Sequence, residues 1–164
     1  MIQAYIGLGS NIGDREKNIE NAISLLTEKF PIINRSYLYE TEPVGFKEQD
    51  WFLNCAIGIQ TMYPPLELHA DLQRIEKEMG RSKEIVNGPR IIDLDLLLYD
   101  NLILKTGNLQ IPHPRFHERR FVLVPLAEIA AEITHPILQK SIGELLAELG
   151  ENDDQVHLYR KDRC

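Results

Sequence analysis

Asp93 and Asp95 stand one residue apart in the run Gly88-Pro89-Arg90-Ile91-Ile92-Asp93-Leu94-Asp95. In an extended strand side chains alternate between faces, so both carboxylates share a face with their Cβ atoms about 7 Å apart. That spacing suits joint binding of one or two magnesium ions carrying phosphate oxygens, because Mg²⁺ takes hard oxygen ligands and keeps waters in its remaining positions. By spacing alone, the solvated face of an edge strand is an equal reading. Leu97 and Tyr99 continue the same face and argue against simple exposure. A glycosidase pair would need separate acid and nucleophile or base roles; neighbouring same-face positions on one strand look more like a metal clamp.

Arg81, Lys83, Arg90, Arg115, Arg119 and Arg120 flank this strand in a chain of formal charge −7. Singly, such residues are commonly surface ion-pair partners. Together they favour phosphoryl chemistry, since guanidinium groups bind phosphate in bidentate fashion and stabilise charge on a transferring group. His113 lies between Pro112 and Pro114, which restricts its backbone. It either presents an imidazole to a phosphate or an adenine, or occupies a rigid turn incidentally. The segment Gly7-x-Gly9-Ser10-Asn11-x-Gly13 lacks both G-x-G-x-x-G and the Walker ending, and reads as a tight turn between a strand and a helix. The five histidines form no close ligand cluster and no serine, histidine and acid arrangement is recognisable, which argues against zinc and serine hydrolases.

The elements that must position these groups follow from periodicity. Ile2, Ala4, Ile6 and Leu8 alternate as a strand. Asp14 can cap a helix with an apolar stripe at Ile19, Ile23, Leu26 and Phe30. A short aromatic strand covers 36–40 with Tyr37 and Tyr39 on one face, and a polar, mobile loop follows over 41–50. The strand from Phe52 to Gln60 has a core-like set in Leu53, Cys55, Ile57 and Ile59. Phe52 and Asn54 share its other face, a platform for a flat polar ring. Pro64-Pro65 opens a helix with Leu68, Leu72, Ile75 and Met79 buried and Gln73 and Glu76 on a different face. The aspartate strand runs from Ile91 to Tyr99, with Ile92, Leu94, Leu96 and Leu98 opposite the aspartates, and Asp100-Asn101 reads as a hairpin turn into 102–104. A basic, proline-bounded loop spans 111–120. Helix is expected in the second half of 121–132, interrupted by Pro125, and Ser141-x-x-Glu144 is a capping box before Leu145. From about 150 the chain is a polar tail with a short strand near Val156–Tyr159.

At 164 residues and 43% hydrophobic content, with no repeat or linker, this describes one α+β domain with a largely antiparallel sheet. The acidic surface disfavours nucleic acid as a partner. Cys55 reads as a small buried residue and Cys164 as exposed. No window is long and apolar enough to span a membrane, and the start carries no export signal, so the expected location is the cytoplasm.

These segments resemble the 6-hydroxymethyl-7,8-dihydropterin pyrophosphokinase family of folate biosynthesis. The resemblance rests on Ala4-Tyr5-Ile6-Gly7-Leu8-Gly9-Ser10-Asn11, Phe52-Leu53-Asn54-Cys55-Ala56, Gln73-Arg74-Ile75-Glu76, Gly80-Arg81, the 88–95 run and Ile111-Pro112-His113-Pro114, which occur in family order from the first strand to about Pro125. It implies a ferredoxin-like fold, a monomer, mobile loops closing over two substrates, and transfer of pyrophosphate from ATP to the hydroxymethyl-pterin with release of AMP. It implies that Asp93 and Asp95 hold two magnesium ions and that Arg81 and Arg90 contact the phosphates. Gln73, Glu76, Lys83, Leu96, His113 and Arg119 match the nucleotide site; Thr41, Val44, Phe52, Asn54 and Phe121 match the pterin site. The chain departs from the family in Asn87, where an aromatic residue often stands, and in Phe52, which replaces a tyrosine of some members. Two rivals keep part of this pattern. Another magnesium-dependent phosphotransferase or hydrolase would keep the aspartates without the aromatics; a non-enzymatic RNA- or protein-binding α+β module would use the aromatics and arginines without the aspartates.

Overall fold

The structure is a computed structural model and describes residues 1–80, 88–151 and 155–164. Strand β1 (Ile2–Ser10) leads into helix α1 (Arg15–Thr27), whose Asp14 cap accepts from the Lys17 N–H. Strands β2 (Ile32–Arg35), β3 (Tyr37–Thr41) and β4 (Phe52–Thr61) follow, then α2 (Pro65–Glu78) and β5 (Asp93–Tyr99). These strands form one antiparallel sheet in the order β5-β1-β4-β3, with β2 beside β4 and β8 (Val156–Arg163) on the outer edge of β3. Two short strands, β6 (Leu104–Lys105) and β7 (Gln110–Ile111), pair with each other. A 3-10 turn (Phe116–Glu118) precedes α3 (Arg120–Ala130) and α4 (Ile142–Leu149). This is the α+β, ferredoxin-like arrangement with its mainly antiparallel sheet.

Alternation along the central strands builds two cores. Ala4, Ile6 and Leu8 face Ile19, Ile23 and Leu26 of α1 and Leu68, Leu72 and Ile75 of α2. On the opposite face Tyr5, Ala56, Leu97 and Leu98 meet Phe116, Leu123, Leu126, Ile142 and Leu145. Helices therefore cover both faces, and the second face is covered only in part.

Several local expectations change. Ile6 pairs with Leu96 while Tyr5 pairs with Leu98, so Leu97 is an extra residue. This bulge sends Leu98 into the second core with Leu97 and turns Tyr99 into the first. Strand β1 runs to Ser10, so Gly7 and Gly9 are strand residues paired with both neighbours, not a turn. The turn at Asp100 forms, with Leu102 N–H donating to the Tyr99 carbonyl, but the strand after it pairs with β7 instead of returning along β5. Pro125 sits inside α3, which is helical from Arg120 onward. The missing N–H costs one bond of the ladder, while burial of Leu123, Leu126 and Ala130 holds both halves in line. Cys164 is buried, not exposed: its N–H donates to the Ser36 carbonyl, and its side chain joins the first core beside Cys55.

Candidate active site

Asp93 and Asp95 lie on the second face of β5, opposite Gly9 and Gly7 of β1. The glycines leave the sheet without side chains there. A Cβ on Gly9 would stand 2.5 Å from Asn54 Oδ1 and 3.5 Å from the Phe52 ring, so glycine is what lets those two β4 side chains occupy the neighbouring column. The result is a cavity of about 230 Å³ whose floor includes Gly7, Gly9, Asn54, Asp93, Asp95 and Leu97. Its walls come from Thr41, Glu42 and Val44, from Gly88 and Arg90, and from Arg115, Glu118, Arg119, Phe121 and Val122 around the start of α3.

The pterin-site candidates come together in this cavity. Asn54 is nearly buried and donates through Nδ2 to Thr41 Oγ1 at 2.6 Å, which fixes the orientation of its amide. Phe52 and Phe121 belong to the lining on opposite sides of the sheet-helix gap, and Val44 is exposed at the rim. The Arg119 guanidinium sits 5.8 Å from the centre of the Phe121 ring, a cation–π contact.

At the other end, Arg90 Nη1 donates to Asp93 Oδ1 at 3.0 Å. The Arg90 backbone is held by Asn11: its N–H donates to Asn11 Oδ1, and its carbonyl accepts from the Asn11 N–H. Asn11 Nδ2 also donates to Gln49 Oε1 and to the Asp50 carbonyl. One side chain thus ties the loop before β4 to the segment before β5. Asn11 was visible only as part of a glycine-rich run, and its role depends on contacts with residues 38 to 79 positions away.

A second cavity of about 340 Å³ lies on the far side of Asp95, lined by His69, Leu96, Leu109, Gln110 and His113 among others. His113 follows a cis peptide at Ile111-Pro112, and its N–H donates to the Leu97 carbonyl. Burial first, then the positive charge of Arg119, pushes its imidazole down to about pKa 4, against an opposing pull from Asp93. The ring is neutral at physiological pH. Leu96 is shared between this cavity and the first core. Glu76 is buried on α2 and accepts from the Leu94 N–H at 2.8 Å, directly behind the aspartates. Gln73 is exposed on the same helix and borders neither cavity. Of the six basic residues flanking β5, Arg90, Arg115 and Arg119 line the first cavity, whereas Arg120 turns away to the Gly150 carbonyl. Arg81, Lys83 and Asn87 lie outside the described residues.

The donor set suits magnesium: two carboxylates on one face of β5, both hard oxygen donors, bordering an open cavity. Among the described residues no group of three or more His, Cys, Asp or Glu is placed to hold a metal ion.

Residues 5–131 match the family described as 7,8-dihydro-6-hydroxymethylpterin-pyrophosphokinase. The chain belongs to that family. It is therefore an enzyme of a group that transfers pyrophosphate from ATP to a pterin in folate biosynthesis, generally with magnesium. The chain is 48% identical over 132 residues to the 2-amino-4-hydroxy-6-hydroxymethyldihydropteridine pyrophosphokinase of Bacillus subtilis, covering 79% of each chain. It is 40% identical to that of Aquifex aeolicus, over 90% of this chain and 92% of the relative. Similarity to the folic acid synthesis protein FOL1 of Dictyostelium discoideum is 40% over 93% of this chain, which spans 23% of that longer protein. Among solved structures, Plasmodium falciparum HPPK-DHPS with pteroate shares the fold at a TM-score of 0.73 and 19% identity, over 90% of this chain and 42% of that one.

Proposed function

We propose that this chain transfers pyrophosphate from ATP to 6-hydroxymethyl-7,8-dihydropterin, with the pterin in the first cavity and the nucleotide reaching into the second. The observation that carries this reading is Asp95, which borders both cavities, so a group held there lies between the two substrates. Phe52 and Phe121 offer aromatic faces to a planar bicyclic ring. Asn54, its Nδ2 engaged by Thr41, turns its remaining amide capacity toward the ring edge.

Asp93 and Asp95 hold magnesium, with the family resemblance favouring two ions; bound metal would acidify the substrate hydroxyl and neutralise charge on the phosphates. Arg90, oriented by Asn11, and Arg119 stabilise the transferring group, and the family resemblance adds Arg81. Lys83 and Gln73 match nucleotide contacts on the same ground. His113 is neutral and serves as a hydrogen-bonding partner to the nucleotide, not as a counter-charge. The pterin hydroxyl oxygen attacks the β-phosphorus, the bond to the α-phosphate bridging oxygen breaks, and AMP leaves with that oxygen.

The test is incubation with ATP, magnesium and the reduced hydroxymethyl-pterin. AMP and a pterin diphosphate should form in equal amounts. Release of ADP or phosphate at the same rate without pterin would instead identify a phosphotransferase or hydrolase of another kind.

A further inference from the structure

The cavity that accepts the ring is walled on one side by the connection between β3 and β4, whose two stems are Glu40–Glu42 and Trp51–Phe52. The β3–β4 ladder joins the stems as far as the pair Thr41–Phe52, and further contacts hold them from outside the sheet. Arg15, in the first turn of α1, donates from Nη1 to the Trp51 carbonyl at 2.9 Å and pairs through Nη2 with Glu40 at 2.8 Å. A single guanidinium thus bridges both stems. It is itself covered by Tyr159 of β8, whose ring centre lies 5.7 Å away and whose hydroxyl donates to Glu16. Strand β8 reinforces the same place: the Glu42 N–H donates to the Gln155 carbonyl, and the Trp51 and His157 rings stack at 6.0 Å with 6° between planes.

We infer that Arg15 is a positioning residue for the pterin site, holding the Glu40 side chain and the Trp51 carbonyl beside the last pair of the β3–β4 ladder, Thr41–Phe52, and with them the placement of Thr41 and Phe52 in the cavity. Arg15 does not line the cavity, so it acts through the residues it holds. Arginine suits the task where lysine does not, because its planar fork can serve a carbonyl and a carboxylate at once while its face packs on an aromatic ring. The Arg15–Glu40 pair is partly exposed, with side-chain exposures of 23% and 35%, so its value lies in geometry more than in stability. The inference rests on the pterin reading of the cavity.

The experiment compares the unsubstituted chain with Arg15→Met and Arg15→Lys, measuring AMP formation with each substrate varied in turn. The expected result for Arg15→Met is a pterin KM raised about five-fold, with kcat and the ATP KM changed less than about two-fold. Arg15→Lys should recover only part of the loss. Trp51 is the sole tryptophan, and its emission should shift in Arg15→Met before substrate is added. Glu40→Gln removes the same pair from the other side and should raise the pterin KM in the same way, which keeps the test decisive if Arg15→Met folds poorly. An unchanged pterin KM in both variants would overturn the inference, as would equal losses for the two substrates. Absence of pterin-dependent AMP formation by the unsubstituted chain would refute the functional reading instead.

Discussion

Asp95 has the clearest predicted phenotype of any single residue. Its carboxylate faces the cavity, opposite a glycine and outside both apolar cores, so Asp95→Ala removes an oxygen donor without opening a hole. AMP formation should fall by at least about a thousand-fold, the scale of losing a principal electrostatic stabiliser. Thermal unfolding should stay within a few degrees of the parent. Retained turnover at the same magnesium concentration would remove Asp95 from the metal site. His113 makes a separate prediction about pH. Its folded pKa of about 4 lies below the ordinary 6.5, so the unfolded chain binds the proton more readily. The stabilisation is complete above pH 6.5 and is lost as pH falls toward 4, by up to roughly 3 kcal/mol. Chemical denaturation of the parent and His113→Gln across pH 4 to 7 checks this. The variant should show a shallower acid slope, and parallel curves would contradict the shift.

At the scale of elements, what could be read from sequence was what depends on short spacing. Period two brought Asp93 and Asp95 to one face, and Phe52 and Asn54 to another. The stripes of α1 and α2 followed from every third and fourth residue being apolar. What failed depends on partners far along the chain. Within Leu96-Leu97-Leu98 no side chain distinguishes the bulged residue; pairing with Tyr5 and Ile6 does. Gly7 and Gly9 read as a turn because their strand character comes from pairing with both β4 and β5. Cys164 read as exposed because its burial needs β8 to add to β3, a contact across more than a hundred residues. That docking has a measurable consequence. Both cysteines are buried, and burial, then the neighbouring Cys164 thiol, raises the pKa of Cys55. The folded chain should react with a thiol-specific disulfide reagent far more slowly than the denatured chain, which should release two equivalents. Prompt reaction of one thiol under native conditions would mean that the end of β8 leaves the sheet readily.

At the scale of the whole molecule, the two cores differ in what they support. The first lies between the sheet and α1 and α2, behind the face that carries the first cavity. The second anchors α3, whose first turn carries Phe121 into the cavity while Leu123 and Leu126 hold the helix down. Stability and substrate binding should therefore separate according to which face is damaged. Leu26→Ala in the first core and Leu126→Ala in the second each remove a fully buried side chain, and each should cost about 2–5 kcal/mol in denaturant unfolding. Measured well below both melting midpoints, Leu26→Ala should keep the parent KM for pterin. Leu126→Ala should raise it several-fold, because a cavity beneath α3 lets the helix, and with it the Phe121 ring, shift by a fraction of an ångström against Phe52. The ATP KM provides the contrast: it should move little in Leu26→Ala and less than the pterin KM in Leu126→Ala, since Leu96 and His113 reach the proposed nucleotide side from β5 and the segment after β7, and only Arg119, at the cap of α3, would shift with the helix. If both variants raised the pterin KM equally, the sheet would be transmitting damage from either face, and the first core would be as much a part of the binding apparatus as the second.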